Sequence, residues 1–349
     1  MRVEANKTAA FPSVSVVIIG LNVAATIEAC VRSVQRMAYP RRALEIIYVD
    51  GGSSDGSTDI ARAAGARVVV TRHARPTPGR QRNAGARAAR FDLIQFLDGD
   101  TRVHPLWLHR ALPEFKGTVR AVCGLRREAH PRANWYHRIA EMDWSYPVGI
   151  CDYFGGDVLI GRDDFFATGG FDEELIAGED PELSFRLRER GARIRRLAFD
   201  ATVHDCRMFH FRSYWKRGYR SGYAYGEVGA RPLRTNSWRG RAPRILARAI
   251  LQLTFLPGVL LAAWSLGAGA LPLMPVGISL GMLVLVRPAL SAWRRRAQRG
   301  DGLQDRALYV LHTGLVVIPQ AAGVVRYYYA RLFNAPLLNP AVSGMGGRD

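Results

Sequence analysis

Cysteine is scarce. The 349 residues hold four, at Cys30, Cys123, Cys151 and Cys206, with no C-x-x-C pair, so neither a disulfide framework nor a structural zinc site is expected, and a reducing compartment fits. Acid is also in short supply, 30 Asp and Glu against 49 Lys and Arg, a formal net charge of +19. That excess suits nucleic acid, an anionic membrane surface or a phosphorylated substrate, and only its distribution along the chain separates them. Met1 to Phe11 lacks an apolar signal core, so no cleaved secretory peptide is expected and the first globular part is expected to begin inside the cell. No G-x-G-x-x-G follows the first β-rich run, where Gly20-Leu21-Asn22 stands instead, and no Walker loop occurs. These absences argue against a nicotinamide dehydrogenase and a P-loop NTPase. No internal repeat is evident. With 48% hydrophobic and 23% charged residues, the chain can bury enough apolar surface to fold and is not a disordered polyelectrolyte.

What is present is a regular alternation. Val14 to Ile19, Leu44 to Val49, Arg67 to Val70 and Leu93 to Leu97 are near-continuous apolar runs, as strands covered on both faces must be. Between them Ile27, Val31 and Val34 recur at helical spacing, Ser57 to Ala64 reads as a helix stopped by Gly65, and Arg80 to Ala89 is helix-prone. Four βα units follow, predicting an α/β, Rossmann-like, mostly parallel sheet. A less regular part, Pro105 to His210, is expected to complete the same domain. Beyond Tyr225 the character changes. Arg231, Arg234, Arg239, Arg241, Arg244 and Arg248 crowd together, and about 38 residues from Ala249 to Val286 then carry no charge.

One membrane helix needs about 20 apolar residues, so this run predicts a tight transmembrane hairpin bent near Pro272 and Pro275. Arg287, Arg294, Arg295, Arg296 and Arg299 make its far flank basic as well, which places both flanks in the cytoplasm. The expected organisation is a tail at 1–12, a globular domain at 13–230, a basic linker at 231–248, the hairpin at 249–290, a basic loop at 291–306, a third spanning or re-entrant helix at 307–326, and a tail at 327–349. The protein is therefore expected in the cytoplasmic membrane as a multi-pass protein with its globular domain in the cytoplasm.

In an open parallel sheet, ligands bind beyond the carboxyl ends of the strands. Here those ends are acidic: Asp50 opens Asp50-Gly51-Gly52-Ser53-Ser54-Asp55-Gly56-Ser57, and Asp98-Gly99-Asp100 follows the fourth run. Carboxylates so placed can hold a hard divalent cation that in turn holds phosphates, or accept hydrogen bonds from a base or ribose. Each also reads as an ordinary turn or helix-cap residue. In Gly178-Glu179-Asp180-Pro181, Asp180 reads as the N-cap of a helix with Pro181 in its first position. A carboxylate held there can also take a proton from an acceptor hydroxyl.

Taken together, Val14 to Tyr39-Pro40, Asp50 to Ser57, Gly79-Arg80-Gln81-Arg82-Asn83-Ala84-Gly85, Leu97 to Asp100, Gly169-Gly170-Phe171-Asp172-Glu173 and Gly178-Glu179-Asp180 resemble glycosyltransferase family 2 on the GT-A fold, from about Ser13 to Tyr225. The resemblance implies that Asp50 and Asp55 contact the nucleotide base, that Asp98 faces the ribose, that Asp100 ligates Mn2+ or Mg2+ on the donor diphosphate, and that Asp180 is the catalytic base. It also implies inversion at the anomeric carbon, from a UDP- or GDP-linked donor. Two segments depart from the family pattern. Gly20-Leu21-Asn22 replaces its usual Pro-x-Tyr-Asn, and Phe211-Arg212-Ser213-Tyr214-Trp215-Lys216-Arg217 does not match the Gln-x-x-Arg-Trp of processive members, so one sugar per acceptor is expected.

Arg80 and Arg82 read either as forked donors to the donor's phosphates or as solvated helix residues. His204, after the last run of the domain, reads as a further metal ligand, an acceptor contact or a packed histidine. Aromatic residues from Phe209 to Tyr225 interleave with Arg207, Arg212, Lys216, Arg217 and Arg220. This is the composition of a helix at the headgroup level, about 207–228, or of a core helix with a solvated basic face. A helix near the bilayer makes a lipid-linked or envelope-polysaccharide acceptor reasonable. The alternatives are a membrane-tethered polyanion-binding protein, against which much of the arginine excess sits beside the hairpin, and a sugar nucleotidylyltransferase, whose Gly-rich N-terminal opening is missing. No nucleic-acid partner is expected.

Overall fold

The computed structural model describes the backbone of residues 11–265 and 274–336 and the side chains of 11–255 and 286–336. In chain order the elements are β1 (Val14–Gly20), α1 (Ile27–Gln35), β2 (Leu44–Asp50), α2 (Ser57–Ala63), β3 (Arg67–Val70), α3 (Pro78–Ala88), β4 (Leu93–Asp98), β5 (Thr101–Val103), α4 (Trp107–Ala111), β6 (Val119–Glu128), α5 (Trp135–Asp143), β7 (Gly149–Cys151), β8 (Val158–Gly161), α6 (Arg162–Ala167), α7 (Glu179–Glu189), β9 (Arg193–His204) and α8 (Phe211–Glu227). Four C-terminal helices follow, α9 (Arg241–Ser265), α10 (Met274–Gln298), α11 (Leu303–Leu315) and α12 (Val317–Leu332).

The strands form one sheet in the order β3-β2-β1-β4-β8-β6-β9-β5, with β7 pairing alongside β9. β1 to β4 run parallel, with Ile19 aligned on Val49 and on Asp98 across its two neighbours. The four apolar runs therefore become strands within a residue of their expected ends, because continuous Val and Ile sequences suit a sheet buried on both faces. Val16 and Ile18 pack on one side, Val17 and Ile19 on the other, all at most 7% exposed. Beyond β4 the sheet is mixed: β8 is antiparallel to both β4 and β6, and β6 is parallel to β9. This half curls through three irregularities in the β6–β9 register.

The C-terminal helices pack against the α/β domain. α12 crosses α8 with little space between their backbones. A Cβ placed on Gly222 would lie 1.9 Å from the Gln320 carbonyl oxygen, and one on Gly323 2.0 Å from that of Tyr219. The aromatic and basic helix expected at the headgroup level is thus covered along one face by α12, with Gly218, Gly222 and Tyr223 buried against it. Its leading aromatics Phe209, Phe211 and Trp215 remain exposed. The expected third membrane helix is two helices, α11 and α12, broken at Val316.

Among the described residues one stretch, Leu303–Leu332, is long and apolar enough to cross a membrane, and 33% of its most apolar window is buried inside the protein. Several passes are not supported by that single stretch. The expected hairpin corresponds to α9 and α10, while its bend, Leu271 and Pro272 included, lies outside the described residues.

Candidate active site

The loops after β1 and β2 are stitched together by side chains. Asp50 ends β2, is 1% exposed, and its Oδ2 accepts from the backbone N–H groups of Gly52 and Ser53 at 2.8 and 2.7 Å while Oδ1 accepts from the Tyr48 hydroxyl at 3.0 Å. Asp55 accepts from Ala24 N–H at 2.9 Å and from Ser57. Asn22, with φ of 55°, accepts from Ser54 N–H through its side chain at 2.9 Å and donates its own N–H to Ser53 Oγ at 2.8 Å. In this structure Asp50 and Asp55, expected to contact a nucleotide base, fix the shape of the crevice wall. Asn22 holds this left-handed conformation at small cost, since Asn tolerates it better than most residues.

The next strand end supplies the acidic centre. β5 pairs antiparallel with the end of β9, setting Thr101 opposite His204, and Asp205 N–H donates to the Asp100 carbonyl at 3.2 Å. This register brings together residues about a hundred positions apart: ligand atoms of Asp98, Asp100 and His204 all lie within 4.8 Å of one another. His204 Nε2 stands 3.2 Å from Asp100 Oδ1 without hydrogen-bond geometry, and both Asp100 Oδ1 and His204 Nδ1 are buried without a hydrogen-bond partner. Buried polar atoms are rarely left so. The Trp144 ring meets the His204 ring edge-on at 4.9 Å and carries the Arg126 guanidinium over its face at 5.6 Å. Arg126 in turn donates to Asp157 at 2.8 Å and to Asp98 at 3.3 Å.

A buried guanidinium joins this centre to the third acidic segment. Arg82, on α3, is 3% exposed and donates to Asp98 Oδ1 at 2.7 Å and to Glu179 Oε1 at 2.6 Å, with Asp180 Oδ1 at 3.4 Å. Burial disfavours the Asp98 carboxylate, but Arg82 and Arg126 outweigh it and hold its pKa down at about 2. Asp180 goes the other way. Burial, with Glu179 and Asp98 nearby, pushes its carboxyl up to about 8 against the pull of Arg82. Gly156 lets the chain pass, since a Cβ there would fall 2.8 Å from both Arg82 Nη2 and Asp98 Oδ2.

Two expectations are corrected. Asp180 is not the N-cap of its helix and Pro181 is not its first residue. Gly178, at φ 83°, caps α7, which places Glu179 first, Asp180 second and Pro181 third. A left-handed turn costs glycine little, so Gly178 takes the capping position, no side-chain cap bond is made, and the Asp180 carboxylate lies toward Arg82. Nor do Arg80 and Arg82 stand free for phosphates: Arg80 pairs with Glu173 at 3.3 Å and with Glu174, and Arg82 is taken up by Asp98 and Glu179. Two positions apart on a helix, they point to opposite sides. Asn83 is structural, exchanging hydrogen bonds with the Phe171 backbone at 2.8 and 2.9 Å. Arg126, Asp157 and Trp144 were not singled out from the sequence. They lie in the irregular 120–157 stretch, where Leu125-Arg126-Arg127-Glu128 reads as an exposed strand end, and no local signal marks them.

A family model described as Glycosyl transferase family 2 matches residues 15–218. The chain belongs to glycosyltransferase family 2. The matched region ends inside α8 and contains every acidic residue just described, so the family domain and the acidic centre coincide. Among curated relatives, Glycosyltransferase AglE of Haloferax volcanii is 28% identical over 194 residues, covering 53% of this chain and 64% of that protein. Pre-mycofactocin glycosyltransferase of Mycobacterium tuberculosis is 26% identical over 324 residues, covering 87% of this chain and 64% of that protein. The chain thus spans a little under two thirds of the length of these family 2 relatives.

Mannosyltransferase PcManGT from Pyrobaculum calidifontis, in complex with GDP-Man and Mn2+, superposes with a TM-score of 0.56 at 17% identity, over 94% of this chain and 89% of that one. TarS 1–349 of S. aureus in complex with UDP-GlcNAc superposes with a TM-score of 0.51 at 12% identity, over 90% and 91%. At such identities the likeness is one of fold, and the fold is the mixed α/β sheet of GT-A proteins.

Proposed function

We propose that this chain is a metal-dependent, inverting glycosyltransferase that moves one sugar from a nucleotide-sugar donor to a hydroxyl acceptor at the cytoplasmic membrane. The observation that carries this reading is the Asp98–Asp100–His204 cluster joined through Arg82 to a carboxyl group at Asp180 that keeps its proton unusually long. The donor set fits a divalent cation. Two carboxylates suit Mg2+ or Mn2+, an imidazole favours the transition ion, and two buried atoms of the set lack other partners. PcManGT, of like fold, holds Mn2+ with GDP-Man, which supports the same choice here. Asp100 and His204 would hold the cation with Asp98, and when bound it would neutralise charge developing on the leaving diphosphate.

Asp180 then serves as the base. Its carboxylate oxygen accepts the proton of the acceptor hydroxyl as that oxygen attacks the anomeric carbon, a contribution of about 10²–10⁴-fold. Arg82 keeps the Asp180 and Asp98 carboxylates apart and fixed, so that Asp98 stays ionised while Asp180 exchanges its proton. A single in-line displacement inverts the anomeric centre, turning an α-linked donor into a β-linked product. Asp50 and Asp55 shape the wall against which a UDP or GDP base would lie; TarS 1–349 with UDP-GlcNAc and PcManGT with GDP-Man support a pocket for either nucleotide in this fold. Exposed Phe209, Phe211 and Trp215, at or just before the start of a helix that packs on α12 within the apolar Leu303–Leu332 stretch, support a bilayer-facing side and a lipid-linked or envelope-polysaccharide acceptor.

Labelled nucleotide-sugars incubated with the purified chain and Mn2+ test the reading. Transfer or donor hydrolysis that Asp100→Ala abolishes is expected, and absence of turnover with every UDP- and GDP-sugar would overturn it. A reporter fused at Leu271 tests the proposed hairpin and is expected outside the cytoplasm; a cytoplasmic reporter would remove it.

A further inference from the structure

A cavity of about 480 Å³ opens where the C-terminal end of α10 meets α5 and the loop 144–148. Four guanidinium groups line it, Arg127 of β6, Arg138 of α5, and Arg296 and Arg299 at the end of α10, with Trp144 and Tyr146 forming an aromatic wall. Two carboxylates, Glu141 and Asp301, share the lining. Three of the arginines have carboxylate partners: Arg127 with Asp200 at 2.8 Å and Glu141 at 3.2 Å, Arg138 with Asp305, and Arg296 with Asp301. Arg299 reaches Ser145 Oγ and, among the described residues, forms no ion pair. Partial burial and the neighbouring charges of Arg296 and Arg295 hold its guanidinium below the usual range, against the opposing pull of Asp301.

The chemistry of the lining selects the occupant. Guanidinium groups present fixed forks of N–H donors that match the oxygens of phosphate. The cavity is far larger than a phosphate group, and Leu125, Pro147 and Val148 give its lining apolar surface for whatever is esterified to it. We propose that this cavity binds the phosphate of a phosphoester, with Arg299 as the cation left uncommitted for it. Trp144 is shared between this cavity and the acidic centre, lining the one and meeting His204 of the other, so an occupant presses on the residue beside a proposed metal ligand. The inference concerns a different site from the donor crevice and does not depend on the catalytic reading.

The test uses the purified full chain in phosphatidylcholine nanodiscs, read by its melting temperature, because a ligand that binds the folded state raises it. Two probes are compared, glycerol 3-phosphate in solution and phosphatidic acid within the nanodisc. A saturable rise is expected with at least one of them. A response to glycerol 3-phosphate identifies a soluble phosphoester; one confined to phosphatidic acid identifies a lipid headgroup. Arg299→Glu is expected to weaken the apparent affinity about tenfold or more, while Arg299→Lys retains most of it. Arg239→Glu, the same charge change on an exposed arginine outside the cavity, is expected to leave it unchanged. No saturable response to either probe, or equal weakening in Arg239→Glu, would overturn the proposal. UDP- and GDP-sugar binding measured on the same samples keeps the two readings apart: donor binding without any phosphate response sinks this inference alone.

Discussion

Arg82 Nη1 lies 3.4 Å from Asp180 Oδ1, and its guanidinium, 3% exposed, is simultaneously bonded to Asp98 at 2.7 Å. The carboxylate proposed to deprotonate the acceptor and one of the carboxylates proposed to hold the metal ion therefore share one buried guanidinium. Their proton affinities are driven apart, with Asp98 held at about 2 and Asp180 pushed up to about 8. Pairs of carboxyl groups separated in this way are what acid–base chemistry at neutral pH requires.

Asp180→Asn should abolish transfer while leaving donor affinity within a few-fold of wild type, as measured by product formation and nucleotide-sugar binding. The stability effect discriminates further. The carboxyl's pKa is raised from about 3.8 to about 8 by folding, so its contribution to stability is complete below pH 4 and is lost as pH rises through 8. The variant should melt above wild type at pH 8 and level with it at pH 4. A carboxylate serving only as a helix cap would instead leave the melting temperature nearly unchanged at either pH, since Asn caps about as well as Asp.

The same carboxyl sets the pH profile. A base protonated below pH 8 is inactive there, so kcat/KM should climb about tenfold per pH unit on approaching that value and then level off. Stopped assays from pH 5.5 to 9 at saturating Mn2+ would show it. A flat profile would mean that Asp180 is not the base.

Chelation by EDTA should reduce donor affinity and activity together, with Mn2+ restoring both. Asp100→Ala should not be restored by added metal, and His204→Ala should need a higher metal concentration, as the loss of one ligand among several implies. Activity indifferent to EDTA would contradict the role given to Asp100.

Arg82→Met leaves Asp98 and Glu179 facing each other without their shared cation. Breaking a buried ion pair from one side costs about 3–5 kcal/mol, so the variant should show a markedly lower melting temperature or fail to accumulate. If Arg82 instead served a donor phosphate, the same change would raise KM and leave melting unaltered.

Gly222→Ala tests the docking of α12. The added Cβ would sit 1.9 Å from the Gln320 carbonyl oxygen, and relief requires the helices to separate, at about 1–3 kcal/mol. Proteolysis should then reach the 303–332 segment faster than in wild type; unchanged protection would show that the crossing is not needed.

How far the sequence reached can be read from individual residues. β1 to β4 were legible because unbroken Val and Ile runs between turn residues have few other uses, and the acidic strand ends followed from their positions. Asp100 and His204 could be named separately, but their meeting depends on the antiparallel pairing of β5 with β9, which no local pattern encodes. Arg82 and Asp180 were legible as residues and not as partners. The sequence places them on separate helices nearly a hundred positions apart, and it gave Asp180 a capping role that Gly178 took instead.

The order of apolar runs, the charges beside them and the spacing of the acidic motifs were enough to determine the α/β class, the family and the end of the sheet where chemistry belongs, since all three rest on periodicity and local residue type. Which carboxylate keeps its proton, which arginine is buried between carboxylates, and that a helix from the C-terminal segment covers α8 were decided by tertiary structure alone. Each depends on burial and on distances between segments remote in the chain, and electrostatic energies in a low-dielectric interior change steeply with both.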